Sequence, residues 1–91
     1  MPNRAARIET ALAAQFGPTL LRVEDDSAKH AGHAGAQPGG ETHYSVLLVS
    51  TRFEGLGRVA RHRLVNHAVQ PEFDTGLHAL ALTLRTPAEA G

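Results

Sequence analysis

The stretch ETHYSVLLVS, residues 41–50, sets the tightest limit on how this chain can fold. From Tyr44 to Val49, five of six side chains are aromatic or aliphatic. An edge strand with one wet face alternates apolar and polar residues, so a continuous apolar run reads as a strand that is central in its sheet or covered on both faces. The chain has 91 residues and a mass of 9.7 kDa, enough for one domain with a modest core. A deep private active site is therefore not expected.

The flanking segments supply the other layers. Asn3 is placed to cap a helix in which Ile8, Leu12 and Phe16 recur at spacing four, with Ala5 and Ala11 on the same side and Arg4, Arg7 and Glu9 elsewhere on the wheel. Gly17-Pro18 ends it, because glycine accepts a left-handed cap and proline cannot continue the ladder. LLRVEDD reads as a short strand with Leu21 and Val23 on one face. SAKHAGHAGAQPGG, residues 27–40, has no hydrophobic periodicity and reads as a long exposed loop. Loops of this length inside a small domain often carry function. After TRFEGLG, which predicts a helical turn around Leu56 to Val59, RVARHRLVNHAV spaces Ala60, Leu64 and Ala68 four apart with Val65 and Val69 beside them. This predicts a second helix that Pro71 weakens near its end. LHALALTL has period two, placing His78 with Leu80, Leu82 and Leu84 on one face of a last strand. Thr86 and Pro87 then suit the cap and first position of a short final turn. The order helix, strand, loop, strand, turn, helix, strand predicts an α+β domain with a three-stranded sheet packed against helices.

Composition excludes several classes of function. Lys plus Arg and Asp plus Glu are nine each, so bulk charge gives no drive to coat a polyanion. Apolar stretches are too short to cross a bilayer, and MPNRAARIET lacks an apolar signal core; no membrane association and a cytoplasmic location are expected. Ser27 and Ser50 lack the glycine-flanked elbow of a nucleophile, and no GxxxxGK or GxGxxG phosphate loop occurs. An enzyme is not supported. The chain has no cysteine and six histidines. That removes disulfides and self-supplied thiolate ligation while leaving imidazole chemistry open.

His30, His33 and His43 flank the long loop, His62 and His67 lie on the second helix, and His78 begins the last strand. His30 and His33 share one face only in a helical loop, and HxxH without a carboxylate or cysteine nearby is a weak metal signal. His78, at the start of a rigid strand and facing a loop that carries further imidazoles, is placed to act as a ligand; the bland alternative is a histidine bonded to backbone at the core edge. Arg58, Arg61, His62 and Arg63 at a helix start are placed to meet phosphates, or else to form a solvated face paired with acids. Tyr44, Phe16, Phe53 and Phe73 sit at core-like positions and leave few platforms for stacking bases.

The segments GGETHYSVLLVS, FEGLGRVARHRLVNHAV and GLHALALTLRTP, with FxGxxxxxRHRxVN across the turn and helix, resemble the BolA family over nearly the whole chain. The resemblance implies a single BolA-like domain over residues 1–91 with an αββααβ fold of the class II KH type. Its first two strands would pair antiparallel and its last would run parallel to a neighbour. Gly55-Leu56-Gly57 departs from the GxxG loop of nucleic-acid-binding KH domains. For function, the resemblance implies a non-enzymatic protein that pairs with a monothiol glutaredoxin to bridge a [2Fe-2S] cluster for iron–sulfur trafficking or iron regulation. The cluster exists only in that complex, shared with the glutaredoxin cysteine and glutathione, and the free protein is expected to be a monomer. By the match His78 is one ligand, and the second comes from the loop: His33, best placed relative to GGETH, or His30. Nitrogen ligands raise a cluster's potential relative to all-cysteine sites. The alternative implied by the family is a DNA-binding transcriptional regulator acting through the turn-helix region 53–67, with Arg58, Arg61, His62 and Arg63 as contacts.

Overall fold

The computed structural model describes residues 3–26 and 42–91. The long loop, with His30 and His33, lies outside the described residues. Helix α1 (Arg4–Phe16) begins where the Asn3 side chain accepts the Ala6 amide and ends at Gly17 in the left-handed region, φ 50°. Strands β1 (Leu20–Asp25), β2 (His43–Val49) and β3 (Ala79–Arg85) form one sheet in the order β1-β2-β3. The apolar run is thus the central strand. It pairs antiparallel with β1 (Val23 opposite Val46) and parallel with β3 (Val46 opposite Leu82). Helices α2 (Arg58–Ala68), α3 (Gln70–Asp74) and α4 (Pro87–Ala90) complete the αββααβ order with a short C-terminal addition. Among the described residues, no helix is long and apolar enough to cross a membrane.

Ile8, Leu12 and Phe16 from α1 meet Tyr44, Val46 and Leu48 from β2, Val65 and Val69 from the second helical layer, and Phe53, Leu77 and Leu84. Among the described residues twelve hydrophobic side chains are buried, and burying each contributes roughly 1.5–3 kcal/mol relative to leaving it in water. Phe16 and Phe53 pack at 5.2 Å between ring centroids, tilted by 41°, within the range in which aromatic pairs add to simple burial.

Four details correct the sequence reading. The helical turn lies earlier than Leu56–Val59: a 3₁₀ turn spans Thr51–Phe53, because the Ser50 hydroxyl accepts the Arg52 amide and so caps it. In α2 the buried line runs through Val65, with Ala68 packed against the core, while Val59 and Leu64 face solvent. The chain stops α2 at Ala68 and restarts as α3 with Pro71 in its first turn, where proline lacks no bond the helix needs. Finally, Arg4, which the spacing sets apart from the apolar side of the helix, is buried. Thr86 and Pro87 do start the last turn, in a full capping box with Glu89.

Candidate functional site at the start of the third strand

His78 precedes β3 by one residue and is exposed. The sequence pattern makes it the first residue of the strand, on the leucine face; the ladder instead begins at Ala79. The His78 and Ala79 amides both donate to the Thr42 carbonyl, at 2.9 and 3.1 Å. The backbone at His78 is therefore fixed to the start of the central strand. Parallel pairing puts His43 opposite Ala79, and this brings two imidazoles together: the His43 and His78 ring centroids are 5.9 Å apart with an interplanar angle of 67°. His43 Nδ1 lies 2.9 Å from the Thr42 hydroxyl, and Thr42 is buried. Thus a residue that the sequence shows only as the last letter of ETH shares the site with His78.

The turn leading into His78 is held from behind by a buried ion cluster. Arg4 Nη1 donates to the Glu72 carbonyl (2.8 Å), to Glu72 Oε1 (3.0 Å) and to the Thr75 hydroxyl (3.0 Å), and Nη2 donates to the Thr75 carbonyl (3.1 Å). Arg7 Nε donates to both Glu72 carboxylate oxygens at 3.1 Å. The Leu77 amide donates to the Glu72 carbonyl, and Leu77 is buried. Gly76 sits at φ 124°, where a Cβ would be strained and would stand 3.4 Å from Arg4 Nη2. Helix α1 and the turn after α3 are thereby locked, and the lock fixes where His78 emerges.

At the other end of β3, Leu56, Arg58, Arg61, His62, Leu82, Arg85 and Glu89 are among the residues lining a cleft of about 560 Å³. Arg61 is engaged there. Its Nη1 donates to Glu89 Oε1 at 2.6 Å, its Nε donates to the Leu56 carbonyl at 2.9 Å, and its guanidinium lies 5.8 Å from the Phe53 ring centroid. The Arg61 hydrogen bond, with the Thr86 amide second, holds the Glu89 carboxyl down at about 2. His62 Nδ1–H donates to the Arg58 carbonyl at 2.8 Å. Arg58 and Arg63 are exposed, and Arg63 is not among the cleft residues, whereas Arg85, which the sequence pattern did not single out, is. Ser50 is fully buried with its hydroxyl donating to the Phe16 carbonyl at 2.6 Å, a structural role.

Among the described residues, no group of three or more His, Cys, Asp or Glu side chains is assembled for a metal ion. The donors brought together are the pair His43 and His78. His30 and His33 lie outside the described residues.

A three-stranded mixed sheet with helices in the order αββααβ defines a class of small α+β proteins. The family model for BolA-like proteins matches residues 12–89, and the chain belongs to that family. It is 48% identical over 90 residues to the protein BOLA1, chloroplastic, of Arabidopsis thaliana, which covers 97% of this chain and 56% of that relative. The solved structure of BolA1 from Arabidopsis thaliana superposes with a TM-score of 0.89 at 46% identity, covering 100% of this chain and 99% of the other. The BolA domain of SufE1 from the same plant gives 0.87 at 43% identity, covering 98% of each chain. The chain thus spans little more than half the length of the curated BOLA1 relative.

Proposed function

We propose that this chain acts as a non-enzymatic BolA-like partner of a monothiol glutaredoxin, the two proteins bridging a [2Fe-2S] cluster for iron–sulfur trafficking or iron regulation. The observation that carries the reading is the presentation of His78: an exposed imidazole on backbone pinned to the central strand, with a buried ion cluster fixing the turn before it. The donor set fits the group. A cluster needs four ligands, and a chain with six histidines and no cysteine gives nitrogen while leaving sulfur to its partner. His78 supplies one nitrogen, and His33 or His30 supplies the second. When bound, the cluster is the transferable iron–sulfur unit, and its retention depends on neutral imidazole, so it weakens as histidine protonates. Mixing the chain with a monothiol glutaredoxin, iron, sulfide and glutathione yields a one-to-one complex with a visible charge-transfer spectrum. A mixture in which the glutaredoxin's spectrum is unaffected by this chain overturns the reading.

A second reading, DNA binding through residues 53–67, draws on the cleft in which Arg58, Arg61, His62 and Arg85 converge. It ranks lower because the Arg61 guanidinium is already neutralised by Glu89, so the cleft offers a phosphate less positive charge than the sequence suggests.

A further inference from the structure

The described residues hold a pair of imidazoles that the cluster reading does not use as a pair. We infer that His43 and His78 together form a mononuclear site for a divalent first-row transition ion of imidazole preference, with Zn²⁺ as its simplest occupant. The site belongs to this chain alone, without a glutaredoxin. It shares His78 with the proposed cluster site but stands or falls independently of it.

Three observations carry the inference. The first is separation. Two histidine nitrogens at about 2.0–2.1 Å from one tetrahedral ion place their ring centroids roughly 5.2 Å apart; the centroids here are 5.9 Å apart, a difference that rotation of the exposed His78 side chain closes. The second is rigidity. His43 opens the central strand, and the His78 and Ala79 amides both donate to the carbonyl of Thr42, the residue before His43. Both Cα positions are therefore set before an ion arrives, so binding costs little ordering of the chain. The third is orientation of a ligand by its neighbour. His43 Nδ1 lies 2.9 Å from the buried Thr42 hydroxyl, and in the tautomer in which Nδ1–H donates, the lone pair falls on Nε2. Metal-binding histidines are commonly fixed in this way through their other ring nitrogen. His78 is exposed, so an ion reaches the pair from solvent, and water completes its coordination. An ion held here occupies His78 and so competes with any cluster for that imidazole.

The test is a Zn²⁺ titration of the full chain, followed by calorimetry and by the imidazole ¹⁵N resonances. The inference expects one equivalent to bind with the His43 and His78 rings shifting together. Replacing either ring (His43→Ala, His43→Gln or His78→Ala) weakens binding about tenfold or more, because each ligand acts at high effective concentration once the other has bound. The double variant His30→Ala/His33→Ala binds within about threefold of the parent, the loop histidines contributing no direct bond in this account. An edge-to-face ring pair that merely packs gives no saturable binding, and that result overturns the inference. So does a wild-type titration in which the loop rings shift with His78 while His43 does not; this reading needs no variant to fold. Cluster assembly with a glutaredoxin, measured separately on His43→Ala, keeps the two proposals apart.

Discussion

Both ends of β3 carry an arginine–glutamate pair, but one end also presents imidazoles. At the C-terminal end, Arg61 and Glu89 bind one another, and Glu89 is also tied to the Thr86 amide. Behind the N-terminal end, Arg4 and Glu72 do the same in a buried setting. In front of that end, however, His78 is exposed and His43 stands beside it. The arginines that look in sequence like a phosphate-binding surface are partly consumed in holding the fold, whereas the histidines are set at its edge on fixed backbone. Charge in a short sequence is therefore a poor guide to a binding surface until its partners are known. An imidazole at the start of a strand, held by the ladder beside it, is a better one.

The difference between buried clamp and exposed clamp gives the largest expected effect. In Glu72→Ala the buried Arg4 guanidinium loses its carboxylate, and removing one partner of a buried pair costs about 3–5 kcal/mol. Urea denaturation measures this, and a loss below about 1 kcal/mol would make the two ends of β3 energetically alike. At the other end, Thr86→Ala removes the cap of α4, including the bond accepted from the Glu89 amide, at a cost of about 0.5–2 kcal/mol in the same assay.

The smallest effect is a pH dependence. The Glu89 carboxyl is held at about 2 against an ordinary 4.5, mainly by its hydrogen bond to Arg61. Because the folded value is the lower one, the pair's contribution is fully present above about pH 4.5 and is lost as the pH falls through about 2. A ¹³C titration of the Glu89 carboxyl checks this directly. A midpoint near 2 supports the clamp, and a midpoint at 4 or above shows that Arg61 is available to a ligand.

How much of this was legible in the sequence depended on how far apart the partners lie. Asn3 and Gly17 at the ends of α1, the Thr86–Pro87 start of α4 and the central placement of Tyr44–Val49 all follow from local chemistry, and all are found in the structure. The burial of Arg4 was not legible, since its partner Glu72 is 68 positions away and arginine at a helix start reads as solvated. Leu64 has the spacing of a core residue but faces solvent, because α2 packs on the line through Val65 and only tertiary contacts choose between the two. The period of LHALALTL draws attention to His78 at the edge of the core, and the structure shows it exposed, one residue before the last strand. Its neighbour His43 is not marked out in this way, because the parallel pairing of His43 with Ala79 that joins them cannot be read from either segment alone.

The central claim is that His78 supplies imidazole to a cluster held jointly with a monothiol glutaredoxin. It is tested most directly by assembling the complex from glutaredoxin, glutathione, iron and sulfide with wild-type chain and with His78→Ala in parallel. The visible absorption and circular dichroism of the two are then compared. His78 is exposed, so its replacement is expected to change folding stability by no more than about 0.5 kcal/mol, and the variant enters the assay folded. The account predicts that the wild-type chain produces a heterodimer spectrum distinct from that of the glutaredoxin alone, and that His78→Ala loses or markedly alters it. Identical spectra and equal affinity for wild type and variant would contradict the assignment.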